Sequence, residues 1–472
     1  MQVSDFIENL TFDEIVIGQS ASLVRTLSKD DIAMFAAMSG DVNPTHFAEP
    51  YAETSMFHRI FAHGMWGGAL ISAVLGTRLP GPGTIYFGQD LRFRKPVGLG
   101  DTVMVTVTAA EKRPEKHIVV FDCRCVNQNG DEVITGTAQV IAPTEKVKRP
   151  RVTLPEVQIV RHDRYDELFK HCVELEPIRT AVVDPRDRAS LEGAVCASEA
   201  RLITPILVGP EKEIRSLAAS ANIDIAGCEI INTKTSHAAA AAAVALVRGG
   251  KAEALMKGSL QTDELMHEVV AAATGLRTER RMSHAFVMDV PSYATPLIIT
   301  DAGINIFPAL ADKRDICQNA IDLAKVLRFD EPRVAILSAV ENITKKIPST
   351  LEAAALCKMA DRGQITGGLV DGPLAFDAAV SAEAAQEAHI VSPVAGKANI
   401  LLVPDIESGN MLVKQLTFMS GAVGAAIVLG ARVPIILTSR ADKLRTRLAS
   451  AAVALLLADA KRRSTPLLSA AE

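Results

Sequence analysis

Aromatic side chains make up only 4% of this 472-residue chain, with a single Trp, so Ala, Val and Leu must build its cores. That usage is common in helix-rich α/β proteins. The seven cysteines are odd in number and scattered. Cys123 and Cys125 would share one strand face, but no second pair completes a metal-ligand spacing, so no metal is expected. A reduced cytoplasm is the expected setting, with each thiol packed as a small apolar group. Excess positive charge is also missing: the net charge is −5, which gives nucleic-acid binding no compositional basis. The longest apolar stretch, Gly421 to Thr438, contains Arg432 and Pro434, and reads as two buried segments around a turn, not a membrane span. Met1-Gln-Val-Ser-Asp-Phe-Ile-Glu8 lacks a basic stretch leading into an apolar core, so no secretory signal is expected. No Walker loop follows a strand-like run, and no Gly-x-Gly-x-x-Gly opens a helix, which argues against those two modes of nucleotide binding. No internal repeat is present.

The chain is too long for one ordinary domain, and at 48% hydrophobic it can bury large cores. Between Pro143 and Arg161 it becomes basic and proline-marked without helical period, as a linker does. The expected division is 1–143, a linker over 144–164, and 165–472.

Asp41-Val-Asn-Pro-Thr-His46, followed by His63-Gly64-Met65 and an apolar run to Leu75, carries the chemistry of the first part. Pro44 pushes Asn43 out of helical geometry, so a helix over 29–38 should end near Ser39-Gly40 and leave Asp41 and His46 on a loop. A carboxylate and an imidazole can hold one water and move its proton. Gly64 precedes a helix that is apolar on nearly every side and is therefore expected to be buried. A backbone N–H at such a helix start can meet a developing oxyanion, which is typically worth about 3 kcal/mol of barrier. These are the parts needed to add water across a double bond next to a thioester. Further along, Thr102 to Thr108 alternates like a half-buried strand. Residues 117–126 and 132–141 read as strands joined by an Asn129-Gly130 turn.

Phe35-Ala-Ala-Met-Ser-Gly-Asp41, Asn43-Pro44, His46, Phe61-Ala-His-Gly-Met65, Gly83-x-x-Tyr86 and Leu91-x-Phe93-x-x-Pro96-Val97-x-x-Gly100-Asp101 resemble the MaoC-like (R)-specific enoyl-CoA hydratases over about 10–142. The resemblance implies an α+β hotdog fold, a long helix wrapped by a curved antiparallel sheet. It implies Asp41 and His46 as the catalytic pair, Gly64 as oxyanion donor, and Asn43 and Ser72 near the substrate.

Beyond Tyr165, strand-like runs alternate with helical ones, which means α/β architecture with mostly parallel sheets. About 310 residues would be large for one sheet, so two lobes are expected, roughly 165–295 plus 441–472, and 296–440. Gly-, Ser- and Asp-rich segments follow the strands, where open α/β folds bind ligands. They are Met256-Lys-Gly-Ser259, Thr300-Asp-Ala-Gly-Ile-Asn305, Asp371-Gly-Pro-Leu-Ala-Phe-Asp377, Ser392-Pro-Val-Ala-Gly396, Pro404-Asp-Ile-Glu-Ser-Gly-Asn410 and Thr438-Ser-Arg440. Each alone also reads as a turn or cap.

In this order they resemble phosphate acetyltransferases and phosphate butyryltransferases, which implies acyl transfer between coenzyme A and inorganic phosphate. The resemblance assigns Arg440 to phosphate and Ser439 to the reacting carbonyl, with substrate contacts at Lys257, Gly258, Asp371, Asp377, Ser392, Gly396, Asp405 and Asn410. Two positions depart. The acetyl-specific members carry a catalytic aspartate where this chain has Thr446, leaving Asp442 as the nearest carboxylate and candidate base. They carry an arginine where this chain has Met266, with Arg277, Arg280 or Arg281 as possible replacements. The butyryl-type enzymes are therefore expected to be the closer match.

The sequence thus points to a bifunctional acyl-CoA enzyme in which CoA thioesters and phosphate are substrates and no cofactor is tightly bound. No nucleic acid or membrane is expected as a partner, and both families imply a homo-oligomer. Two alternatives stay open: an active hydratase with a CoA-binding or oligomerising second domain, and a non-catalytic acyl-CoA-binding scaffold.

Overall fold

The computed structural model describes residues 6–47, 59–152, 157, 159, 164–439 and 442–464. The chain divides into two compact units, Met1–Val160 and Arg161–Glu472.

In the first unit five antiparallel strands run in the order Ser20–Thr26, Thr102–Arg113, Ile118–Asn127, Glu132–Ile141, Ile85–Phe93. Alternation along Thr102–Arg113 sends Val103, Val105, Val107 and Ala109 inward, where Phe121 and Val140 join them. Ile71, Val74 and Leu75 of the Gly64–Thr77 helix complete this core. The Lys29–Ser39 helix starts on a Ser28–Asp31 capping box and stops at Gly40, whose φ of 77° only glycine adopts without strain. This is the hotdog arrangement.

The Gly64–Thr77 helix is not buried on every side, as its composition suggested: Met65, Ala69 and Ser72 are exposed while Trp66 packs inside. Hydropathy says which residues tolerate burial, but the helix lies on one sheet face and that face covers only part of its circumference. Lys148–Pro150, within the stretch read as linker, pairs antiparallel with Phe6–Glu8. Lys146 beside Glu14 at 2.9 Å adds charge complementarity there.

In the second unit one sheet of eleven strands spans what the sequence suggested would be separate sheets. The order is Glu229–Asn232, Ile203–Gly209, Ile178–Val183, Ala254–Lys257, Ile435–Ile436, Val423–Leu429, Ser283–Asp289, Leu297–Thr300, Ile400–Leu402, Arg333–Leu337, Leu369–Leu374. Each flank is parallel within itself. Three successive antiparallel pairings in the middle reverse the direction between the flanks. The carboxyl ends of the two flanks therefore point opposite ways, and the Gly-, Ser- and Asp-rich strand ends do not share one edge.

One face of this sheet carries a continuous apolar core, from Ile178 through Ile427 to Ile336, under helices that include Leu444–Ser464. On the other face the core is split. Ala181, Val208 and Leu255 pack with Ala240 and Leu265 at one end, and Ile299, Leu401 and Leu337 pack with Ala379 and Val413 at the other. The lobes are these two packed ends of a single sheet. Two strands lay outside the sequence reading, Glu229–Asn232 and Leu369–Leu374. The second contains the Asp371-Gly-Pro motif that was read as a strand end. The Gly421–Thr438 stretch is two strands turning at Gly430. Among the described residues no helix is long and apolar enough to cross a membrane.

Two candidate active sites

The first site grows from the stop at Gly40. Asp41 takes its backbone N–H to Ser39 Oγ at 3.2 Å, and its Oδ1 accepts the Asn43 N–H at 3.2 Å. Asn43 Oδ1 in turn accepts the Thr45 N–H and opens a short turn, Pro44–His46. This run of local bonds leaves the Asp41 carboxylate exposed while His46 is buried. His46 Nδ1 lies 2.8 Å from the Phe61 carbonyl. A carbonyl only accepts, so Nδ1 carries the proton and Nε2 is the basic nitrogen.

His63, which the sequence reading quoted without assigning a role, stacks its ring on that of His46 at a centroid distance of 3.9 Å. One ligating atom from each of Asp41, His46 and His63 lies within 4.8 Å of the others. The two ring planes are tilted by 33°.

Gly64 is the first helical residue, whose N–H no intrahelical carbonyl can reach. Beside it a cavity of about 180 Å³ is lined by His63, Gly64, Trp66, Gly67, Phe93 and Ile134 among others. Ser72 faces solvent two turns farther along, so the structure does not bring it to the Asp41–His46 pair.

The second site lies on the sheet face where the apolar packing is split. Asp442 Oδ2 accepts the Ser439 N–H at 2.6 Å. Burial pushes the Asp442 carboxyl above its usual range, opposed by the Ser439 N–H and by Arg447 and His284 nearby. Arg447 is itself buried and donates to Thr438 Oγ1 at 3.1 Å and to the Ser439 carbonyl at 3.0 Å, pinning the segment from behind. His284 is buried at the sheet centre with Nε2 3.3 Å from the Leu437 carbonyl, and burial lowers its affinity for a second proton despite the charge of Asp301.

The buried Asp301 carboxylate gathers the N–H groups of Gly303, Ile304 and Asn305 at 2.9, 3.0 and 3.2 Å. Gly303 must be small, because a Cβ there would stand 2.8 Å from His284 Nδ1. Asn410 reaches the Ala302 carbonyl at 3.3 Å, while Asp405 caps its helix through Ser408 N–H at 2.8 Å. Asp301, His284, Asn410, Ser439 and Asp442 are thus one connected group.

The remaining expected contacts make bonds of their own. Lys257 is buried with Nζ 3.3 Å from the Gly258 carbonyl, and Gly258 presses on the Val183 carbonyl. Asp371 Oδ1 takes the Gly372 N–H, Asp377 is exposed, Ser392 caps Val394 and Ala395, and Gly396 turns against Ala382. Gly396 N–H also reaches the Ala378 carbonyl at 2.8 Å, and Asp371 pairs with Ala335 in the sheet. Arg440 lies outside the described residues. Met266 packs into apolar surroundings. Of the three arginines offered in place of one there, Arg281 reaches the site, with Nε 2.7 Å from Asn305 Oδ1, while Arg280 pairs with Asp322. His284 and Arg447 carried no sequence signal, since each reads as an ordinary strand or helix residue; Asp301 stood inside a quoted motif.

Together these features define a hotdog domain joined to an α/β domain of acyltransferase type. The phosphate acetyl/butaryl transferase family matches residues 237–455, and the MaoC like domain matches residues 15–127. A phosphate acetyltransferase of Rhizobium meliloti is 63% identical over 299 residues, 63% of this chain and 95% of that protein. A phosphate butyryltransferase of Clostridium acetobutylicum is 40% identical over 297 residues, 63% of this chain and 99% of that protein. The solved R-hydratase PhaJ1 of Pseudomonas aeruginosa is 44% identical, covering 33% of this chain and 99% of that one, with a TM-score of 0.32. The chain belongs to the phosphate acetyl/butyryl transferase family and carries a MaoC-like domain ahead of it. The expectation that butyryl-type enzymes match more closely is corrected by these identities, because two positions do not measure similarity over 299 residues.

Proposed function

We propose that the chain is a bifunctional acyl-CoA enzyme that hydrates 2-enoyl-CoA to (R)-3-hydroxyacyl-CoA and exchanges an acyl group between coenzyme A and inorganic phosphate. The observation that carries the first activity is the bond from His46 Nδ1 to Phe61, which leaves Nε2 as the basic nitrogen of a ring that clusters with Asp41. Water sits between His46 Nε2 and the Asp41 carboxylate. Its oxygen bonds to C3 as its proton leaves to this pair, the C2–C3 π electrons move onto the thioester oxygen, and the Gly64 N–H meets that charge. The pair then returns a proton to C2.

The second activity is carried by the raised carboxyl of Asp442 on the Ser439 amide. A carboxylate held above its usual range is a better match to a thiol proton. Asp442 takes the CoA proton, the thiolate sulfur attacks the acyl phosphate carbonyl, and the C–O bond to phosphate breaks. Ser439 steadies the tetrahedral oxyanion, while Arg440 and Arg281 hold the departing phosphate. The high identity to an acetyltransferase favours an acetyl group. CoA thioesters and phosphate come and go as substrates, with no tightly bound cofactor and no metal. A cytoplasmic homo-oligomer fits this reading, since Ile85, Phe87 and Phe93 are exposed along the edge strand of the hotdog sheet.

Two assays on one preparation decide it: hydration of crotonyl-CoA, and CoA release from acetyl-CoA with and without phosphate. Both should proceed. Hydration without phosphate-dependent release leaves the second domain as a binding or oligomerising module, and loss of both leaves a scaffold.

A further inference from the structure

We infer that His63 is a third member of the water-holding group at the hotdog site, anchoring Asp41 with one ring nitrogen and offering the other to the water. The inference rests on the hydratase reading of that site.

His63 Nε2 lies 3.0 Å from the backbone carbonyl of Asp41. Because a carbonyl only accepts, Nε2 must carry the hydrogen, and Nδ1 is then a bare acceptor. His63 is only 3% exposed, and its Nδ1 is buried with no hydrogen-bond partner among the described residues. A buried acceptor without a donor is costly, so such groups are rare in folded proteins unless water or a ligand completes them. One ring nitrogen of His63, one of His46 and a carboxylate oxygen of Asp41 lie within 4.8 Å of one another, which brings two further acceptors to this ring. A guest of this group must donate, and water, whose two hydrogens are shared among the three acceptors, is the donor that the reaction consumes.

The ring also fixes its neighbours. It stacks on His46 at 3.9 Å and lies 5.0 Å from Phe35, so it is wedged between the helix that ends at Ser39 and the imidazole it supports. It is the residue just before Gly64 and stands at the N-cap position of the same helix, without a side-chain cap bond. One side chain thus touches the backbone of the carboxylate residue, the ring of the base and, through the chain, the oxyanion donor. A purely structural residue would not need the free nitrogen.

Three substitutions separate the roles. His63→Phe keeps an aromatic stack and loses both nitrogens. His63→Gln keeps a donor near the Nε2 position, and His63→Asn keeps an acceptor near the Nδ1 position. His63→Phe should lower kcat for crotonyl-CoA hydration on the order of a hundredfold, with KM within about twofold and melting behaviour retained. Gln and Asn should each recover only part of that loss. Wild-type kcat in both His63→Phe and His63→Gln would overturn the inference. If the wild-type protein does not hydrate at all, the hydratase reading fails, and ¹⁵N imidazole spectra then decide the inference alone. Nδ1 of His63 should be bare and should shift when a 3-hydroxyacyl-CoA is added. A proton on Nδ1, or no response to the ligand, would overturn it.

Discussion

The two sites differ in how far their parts travel to meet. At the hotdog site, Asp41, His46, His63 and Gly64 come from one short stretch; a turn and a helix start carry them, and the bonds from His46 to Phe61 and from His63 to Asp41 join the two. At the α/β site, His284, Asp301, Asn410, Ser439, Asp442 and Arg447 come from four separate segments, and a sheet that reverses direction between its flanks brings them together. A local site can be recognised from a motif, whereas a dispersed one shows in sequence only those members that lie in unusual turns.

The largest test of that contrast is His46→Gln, which should cut hydration on the order of a thousandfold. Phosphate-dependent CoA release, measured on the same sample, should not change. Loss of both activities would mean that the sites are not independent. Next in size is Asp442→Asn, expected to lower CoA release about a hundredfold and to leave hydration intact. It should also raise the melting temperature near pH 7. Because its carboxyl is raised in the fold, what Asp442 contributes to stability is present in acid and lost as pH rises through that value, so at neutral pH its charge opposes folding. An unchanged melting temperature would argue against its burial.

A smaller effect is expected of Arg281→Ala. The apparent KM for phosphate should rise about tenfold, the size of one lost charged contact, with little change in KM for acetyl-CoA. Equal effects on both would place Arg281 in support of the Asp301 loop alone. The smallest effect concerns His284. Burial lowers its proton affinity below the ordinary 6.5, so its contribution to stability is present above that pH and is lost as pH falls below it. Urea unfolding at pH 7.5 and pH 5.5 should show weakened stability at the lower value, and His284→Gln should flatten that part of the difference.

Much of the fold was legible for simple reasons. Alternating valines in Thr102–Arg113 have one good way to bury their apolar face. The Glu229–Asn232 strand escaped notice because it is an edge strand of four residues, none of them fully buried. Leu369–Leu374 escaped because Gly372-Pro373 reads as a turn, yet parallel pairing with Arg333–Leu337 continues past it through a shift in register. The exposed side of the Gly64–Thr77 helix could not be read at all, since apolar residues lie both on its covered face and at Met65 and Ala69.

By itself the sequence determined that two domains of different families share this chain, that Asp41 and His46 share one turn ahead of a helix start at Gly64, and that a Ser-Arg pair follows the last strand. Local turns, caps and periodicity act over a few residues, so they survive in one dimension. Only the tertiary structure decided that His63 leans on His46, that one eleven-stranded sheet serves both lobes, and that Arg447, His284 and the Asp301 loop frame Ser439 and Asp442. Those contacts join residues as far apart as 284 and 437, and their energy comes from burial and pairing across the sheet, which no local pattern records.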